Sequence, residues 1–449
     1  MTDRYLTLVN AGVSKQLAKR LGLPRPAPLA RFQPGQPLVR GLVLVLGGAS
    51  SAADADAVAQ TLLGWDLDVR RQPTPGDVYG AVVLVLTGLT HPDELSGPVL
   101  AVGGALRSLA AGGRIITLSR PAAGDDAPAV AAGRQAVDGM LRSLAKELRA
   151  GSTGNGVLLA AGVEVAAPSV LGALRFFLSA RSAFVDGQLL RVDTTAGTAP
   201  ADWAAPLAGR VAMVTGAARG IGAAIAETFR RDGATLVVVD LPAAGEALAA
   251  VANRVHGTAV QLDITAPGAG MRLLEHAVHR HGRLDIVVHN AGVLRDRLLA
   301  NMTPERWDEV LAVNIAAQLR INEHLLTSGD FTRAPRIVSL ASTSGIAGNR
   351  GQTNYAASKG AVIGMVRATA PLLTAFGGTV NAVAPGFIET DMTARIPFAP
   401  REIARRANSL HQGGRPVDVA EAVAFLSSPQ AGGIVGQVLR VCGQNLVGA

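Results

Sequence analysis

"VAMVTGAARGIG", residues 211–222, is the stretch whose reading decides the fold. Val211 to Thr215 is an apolar run of the kind buried on both faces of a parallel sheet. Gly216, Gly220 and Gly222 then allow a tight turn, and "AAIAETFRRDG" (223–233) reads as a helix. "TLVVVD" (235–240) follows as the next strand. A strand, a glycine-rich turn and a helix in this order aim free N–H groups and the positive helix end at a phosphate. Gly216, Arg219, Gly220, Ile221 and Gly222 are therefore the expected dinucleotide turn. Asp240 closes the second strand, where a carboxylate can hold both hydroxyls of an adenosine ribose and repel a 2′-phosphate. Arg219 argues the other way, but Asp240 would touch the discriminating hydroxyl itself. NAD(H) is the expected cofactor, and NADP(H) stays open.

Towards the N-terminus similar runs recur: "LVLVLGG" (42–48), "AVVLVLTG" (81–88), "RIITLS" (114–119), "GVLLAAG" (156–162) and "GQLLRV" (187–192). Helical stretches separate them, so a second parallel α/β sheet is expected. The two halves also echo one another. "GQLLRV" matches "GQVLRV" (436–441), "AVDGMLR" (136–142) matches "AVIGMVR" (361–367), and "RIITLS" matches "RIVSLAS" (336–342). Ordered matches in three elements indicate a duplication. The first copy is shorter by about one strand–helix pair, since Leu42 to Ala81 spans 39 residues where Val211 to Asp285 spans 74. The expected organisation is an arm over 1–35, with a short helix from Ser14 to Leu21, and a degenerate flavodoxin/Rossmann-like domain over 36–193. A linker over 194–208 and a complete Rossmann domain over 209–449 follow. Both domains are doubly wound α/β parallel sheets.

Composition bounds the function. A 449-residue chain with 49% hydrophobic residues can fill two cores, and aromatics at 4% make those cores aliphatic. No apolar run approaches the roughly 18 residues of a membrane span, and the N-terminus lacks a secretory pattern. A single cysteine, Cys442, excludes an intrachain disulfide and suits a reducing cytoplasm. The net charge of +8 is dispersed, without a nucleic-acid-binding motif, and fits a face for acidic substrates instead. His276, His279 and His281 share a helix without convergent carboxylates or cysteines and read as a solvated basic face, so no metal site is expected.

Tyr355 and Lys359 lie four residues apart, on one face of a helix. Carbonyl reduction needs a proton donor beside the carbonyl oxygen, and a nearby cation would lower the pKa of a tyrosine in that role. Only four lysines occur among the 42 basic residues, and Lys359 is the last of them; arginine could not change protonation so readily. The pattern "TGAARGIG … NAG … S … YAASK" resembles that of the short-chain dehydrogenases/reductases over essentially all of 209–449. "GNRGQTNYAASKGAVIGM" (348–365), "VNAVAPGFIETDM" (380–392) and "GRPVDVAEAVAFL" (414–426) resemble the bacterial 3-oxoacyl-[acyl-carrier-protein] reductases. The whole length is similar to their high-molecular-weight, two-domain relatives.

That resemblance implies further roles. Ser342, 13 residues before Tyr355, would hydrogen-bond the substrate oxygen, and Asn314 would hold a water linking Lys359 to solvent. Asp263 would lie by the adenine amino group, with the Ile264 backbone beside it. Asn290 and Gly292 would approach the ribose. Pro385 and Gly386 would shape a turn, the Ile388 backbone would meet the nicotinamide carboxamide, and Thr390 would reach the pyrophosphate. Gln352 and Phe387 are expected in the acyl pocket. The polar segment from Asp391 to about Gly414 has the position of a substrate lid. The first copy lacks these residues: Val130 and Arg134 fall where Tyr355 and Lys359 would be, and Gly47 and Gly48 are adjacent. It reads as catalytically silent, standing in for the partner subunit of single-domain relatives, so that a homodimer would mimic their tetramer. The expected activity is NADH-dependent reduction of 3-oxoacyl thioesters, carried on CoA or acyl carrier protein, in fatty acid biosynthesis. The alternatives are a secondary-alcohol dehydrogenase of another class, such as a steroid or polyol enzyme, and a dinucleotide-sensing scaffold.

Overall fold

Every residue of Tyr79–Leu86 is buried, and so is every residue of Val211–Thr215, as uninterrupted apolar runs require of strands covered on both faces. They belong to two separate parallel sheets in a computed structural model that describes residues 4–11, 16, 20, 21, 25–394 and 396–445. The helix expected from Ser14 to Leu21 lies largely outside the described residues; the arm shows a helix over Arg4–Asn10.

The first sheet contains β1 (Leu42–Gly47), β2 (Val69–Arg70), β3 (Tyr79–Leu86), β4 (Leu109–Ser119), β5 (Thr153–Leu159) and β6 (Leu189–Val192). Their order is β2-β1-β3-β4-β5-β6, and all pairs are parallel. This is a flavodoxin-like order extended by one strand. Leu44, Val82, Leu84, Ile115 and Val137 are in its core.

The second sheet contains β7 (Val211–Thr215), β8 (Thr235–Asp240), β9 (Thr258–Gln261), β10 (Ile286–His289), β11 (Arg336–Leu340), β12 (Thr379–Pro385) and β13 (Val438–Val441). The order is β13-β12-β11-β10-β7-β8-β9, again parallel throughout. Met213, Val237, Val287, Ile337, Leu273 and Leu325 are in its core. The strand order reverses between β7 and β10, which opens the crevice where ligands of such sheets bind. Between β7 and β10 the chain makes two strands, β8 and β9; between β1 and β3 it makes only β2. That difference accounts for the shorter first copy.

The sequence echo has a physical cause. Asn155 on β5 donates its amide to Val185 O at 2.9 Å and accepts Gln188 N at 3.1 Å. Asn381 on β12 donates to Ile434 O at 2.8 Å and accepts Gln437 N at 2.9 Å. Each asparagine is buried and staples the loop before the last strand of its sheet. Gly187 and Gly436 open those loops at φ +65° and +72°, which favours glycine.

The described residues form two compact units. The first comprises the described residues of 1–197 with two returning segments, 398–413 and 442–445; the second comprises the described residues of 198–397 and 414–441. The returning segments bond to the first unit's other residues. Gly443 N donates to Phe184 O at 2.9 Å, Gln444 Nε2 to Arg142 O at 2.7 Å, and Gln412 Nε2 to Ala27 O at 2.7 Å. No helix among the described residues is long and apolar enough to cross a membrane.

Candidate active site

All the singled-out site residues fall in the second unit, at or beyond the carboxyl ends of its strands or on the helices that follow. The turn after β7 is held from β10. Asn290 Nδ2 donates to Thr215 O and Gly216 O, both at 3.0 Å, while Thr215 Oγ1 accepts Asn290 N and Ala291 N at 3.1 Å. Gly216 sits at φ +65°. A Cβ on Gly222 would meet Gly216 O at 2.1 Å and Asn290 Nδ2 at 2.5 Å, so only glycine closes this cradle. The helix Gly220–Arg231 starts here, with Arg219 exposed at its cap position. Its free N–H groups and open backbone suit a pyrophosphate.

Asp240 ends β8 and is fixed at the same turn. Its Oδ2 accepts Ala218 N at 2.9 Å and its Oδ1 accepts Leu241 N at 2.8 Å. Asp263 lies two residues past the end of β9, exposed, and accepts Thr265 N at 2.8 Å; Ile264 is buried. Beyond β12, Gly386 N donates to Val441 O, and Ile388 pairs with Gly414. The Ile388 carbonyl accepts the Thr393 hydroxyl at 2.7 Å, and Thr390 N donates to Thr393 Oγ1 at 2.9 Å. Phe387 is half-buried between these residues in the chain.

Tyr355 and Lys359 lie one turn apart on the helix Thr353–Thr374. The Tyr355 and Ser342 hydroxyls share a hydrogen bond, and Ser342 Oγ also accepts Ser344 N at 3.1 Å. Lys359 is buried, donates to Leu340 O at 2.6 Å, and places Nζ 5.6 Å from the Tyr355 ring centre. Gly292 lets the chain pass close by, since a Cβ there would lie 3.7 Å from that Nζ. Burial pushes Lys359 down to about 8. The lowering of Tyr355 expected from the lysine is not found. Burial pushes Tyr355 up to about 12, the Asp296 carboxylate adds to the rise, and the Ser342 hydrogen bond opposes it.

Asn314 is buried in a π-helical turn, Ala312–Ala316. Its Oδ1 accepts Val293 N at 2.8 Å, and its Nδ2 donates to Val293 O at 3.1 Å and Ser358 Oγ at 3.0 Å. The side chain thus ties the loop after β10 to the helix of Lys359, and the Asn314 carbonyl accepts Gln318 Nε2 at 2.7 Å. Gln352 is bonded at both ends of its amide: Nε2 donates to Asp296 at 2.8 Å, while Oε1 accepts Ser344 Oγ and Asn349 Nδ2 at 3.0 Å. Asp296 and Ser344 carry no family pattern that sequence reading recognised. The only signal was an acid between two arginines, "RDR" at 295–297.

The first unit fills the equivalent turn with acid. Asp54, in the first turn of the helix Ala52–Gly64, accepts Thr87 Oγ1 at 2.5 Å. Glu94 accepts Ser50 Oγ at 2.5 Å and Thr90 Oγ1 at 2.6 Å, with Thr90 N and His91 N; these bonds hold its carboxyl down at about 2. Arg134 pairs with Asp126 at 2.7 Å. Two anions at the carboxyl ends of β1 and β3 oppose a pyrophosphate.

Residues 216–443 match the family described as enoyl-(acyl carrier protein) reductase. The chain is similar to the 3-oxoacyl-[acyl-carrier-protein] reductase FabG of Thermotoga maritima, at 38% identity over 240 residues, 53% of this chain and 98% of the relative. The enzymes of the same name from Vibrio cholerae and Escherichia coli K12 are each 38% identical, over 53% and 52% of this chain and 97% and 96% of their own. These matches fall on the C-terminal half.

Proposed function

Since the chain belongs to the short-chain dehydrogenase/reductase family, we propose that it reduces 3-oxoacyl thioesters to 3-hydroxyacyl thioesters with NADH as the preferred reductant. The observation that carries this reading is the buried Lys359 one helical turn from Tyr355, its Nζ 5.6 Å from the tyrosine ring centre, with the Ser342 hydroxyl interacting with the same phenol. The substrate class follows from the named activity of the relatives that match the second unit nearly end to end.

Nicotinamide dinucleotide, when bound, supplies the hydride. The closed glycine turn and the helix start at Gly220 fit its pyrophosphate. Asp240, anchored by two backbone N–H groups, supports NADH over NADPH because its charge opposes a 2′-phosphate. Tyr355 remains protonated throughout the physiological range and gives its proton to the carbonyl oxygen as negative charge develops there. Ser342 donates a hydrogen bond to that oxygen and orients the carbonyl. Lys359, a cation below about 8, favours the tyrosinate left behind and restores its proton. Asn314 keeps the lysine's helix in place through Ser358.

We read the first unit as non-catalytic. Val130 and Arg134 stand where the tyrosine and lysine would be, and Asp54 and Glu94 oppose a dinucleotide phosphate. A homodimer is supported by exposed apolar side chains on two second-unit helices, Leu319 on Ala317–Thr327 and Leu372 on Thr353–Thr374.

The test is a panel of acetoacetyl and longer 3-oxoacyl thioesters with NADH and NADPH. Wild type turns over at least one of them, faster with NADH. Tyr355→Phe loses about 10²–10⁴ in turnover while binding NADH normally. A wild-type chain that binds NADH yet reduces no 3-oxoacyl thioester refutes the reading.

A further inference from the structure

Asp296 is exposed in the loop after β10, yet it is wired to the catalytic pair. Its Oδ2 accepts Gln352 Nε2 at 2.8 Å, Gln352 Oε1 accepts Ser344 Oγ at 3.0 Å, and Ser344 N donates to Ser342 Oγ at 3.1 Å. Ser342 in turn shares its hydrogen bond with Tyr355. Among the described residues no cation pairs with Asp296. Arg295 is engaged by Glu309 through two bonds, at 2.6 and 2.5 Å, and the Arg297 backbone is tied to Gly351 O. Gln352 is neutral, so the chain of bonds fixes the position of the carboxylate without cancelling its charge. The field of that charge reaches the tyrosine, where it opposes ionisation.

We propose that Asp296 is a specificity-determining residue: a fixed negative charge, bonded through Gln352 and Ser344 to Ser342, that disfavours carbonyl compounds carrying a free carboxylate and admits those whose acyl group is neutral. The inference rests on the 3-oxoacyl reading for its substrate pair. A 3-oxo acid held with its carbonyl at Ser342 and Tyr355 has its carboxylate only two carbons from the reacting centre, so it brings a second negative charge to the site to which Asp296 is bonded. The thioester of the same acid has no charge at that position. Selection would therefore fall on the activated form rather than on the acid released by hydrolysis.

The experiment compares acetoacetate with its N-acetylcysteamine thioester on the full chain with NADH, for wild type, Asp296→Asn and Asp296→Glu. Asparagine keeps an acceptor for Gln352 and removes the charge. The ratio of kcat/KM, thioester over acid, is expected to fall about three- to tenfold in Asp296→Asn at low ionic strength. The drop should shrink in about 0.5 M salt, where the Debye length is only a few ångströms. Asp296→Glu should restore most of the wild-type ratio, which a loss of loop structure would not do. Calorimetric titration of acetoacetate into the protein should show tighter binding to Asp296→Asn by a similar factor. An unchanged ratio with unchanged acetoacetate affinity overturns the proposal. If wild type turns over no 3-oxoacyl compound, the functional reading fails, and the acetoacetate titration still decides the role of Asp296.

Discussion

Replacing Lys359 with methionine should abolish turnover and make the protein more stable at neutral pH. Lys359 is 4% exposed, and among the described residues no carboxylate pairs with it; its one hydrogen bond goes to Leu340 O. Its pKa falls from 10.5 to about 8 because burial disfavours the charged amine. That gap corresponds to about 3 kcal/mol against folding with the charge in place. Between about 8 and 10.5 the unfolded chain binds more protons than the folded one. Stability therefore rises with pH across this window, and the penalty is present in full below it. Methionine removes the penalty, fills a similar volume, and leaves Leu340 O without its side-chain donor at a cost of about 1 kcal/mol. The variant should gain about 2 kcal/mol at pH 7, and the gain should vanish or reverse by pH 10.5. Urea unfolding followed by tryptophan fluorescence reports it, since Trp203 and Trp307 both lie in the second unit. Subtracting variant from wild type at each pH cancels the titration of every other group. A variant less stable at pH 7, or a difference that does not change between pH 7 and 10.5, would refute the burial argument.

The pH profile of kcat/KM for reduction should lose activity as pH rises through about 8, where Lys359 discharges, and not near 12, where Tyr355 ionises; profiles of the Asp296→Asn variant should keep the same limb. Asp240→Ala should lower the preference for NADH over NADPH by about tenfold in kcat/KM, since it removes the charge facing the 2′ position. Gly222→Ala should cost about 2 kcal/mol or more and weaken NADH binding measured by fluorescence, because the new Cβ lands 2.1 Å from Gly216 O. Glu421→Ala should cost about 2 kcal/mol in urea unfolding. It removes the carboxylate on Pro416–Ser427 that Arg231 of the helix Gly220–Arg231 now holds at 2.5 and 2.9 Å, and leaves that guanidinium to its other partner, the buried Asp232 at 2.8 Å.

Both sheets were legible because their strands are uninterrupted apolar runs, and the order of turn, helix and strand around Gly216 left little choice of topology. The spacing of 39 against 74 residues exposed the reduced first copy, since one strand rather than two occupies the interval. What stayed hidden depends on partners far apart in the chain. The segment from Asp391 to about Gly414 reads as a polar lid, and nothing local shows that its Phe398–Gly413 part groups with the first unit, where Gln412 bonds to Ala27. Asp296 and Gln352 are 56 residues apart, and a neutral amide between them leaves no charge pattern to read. The upward push on Tyr355 is hidden for a related reason. Spacing on a helix shows that a lysine is near, but only the packed site shows how strongly burial opposes the phenolate.

The matching "GQLLRV" and "GQVLRV" have a packing cause that is independent of any ligand. The two segments are retained with the asparagine that staples each, Asn155 or Asn381, and with the glycine at positive φ, Gly187 or Gly436. In each unit the loop backbone also bonds to the adjacent strand, Gly187 N to Gly154 O and Gly436 N to Val380 O, and the asparagine satisfies the Val185 or Ile434 carbonyl and the Gln188 or Gln437 N–H, so losing it leaves those groups unpaired. That requirement is the same whether or not the sheet binds a dinucleotide. The turn after the first strand has no such independent requirement. In the first unit it now carries Asp54 and is closed by Ser50, Ser51 and Gly88. Restoring glycines there alone would not recreate a phosphate site, because Asp54 and Glu94 would still oppose the ligand. The first unit therefore keeps the parts of the sequence that its own folding demands, and similarity between the halves measures shared packing rather than shared catalysis.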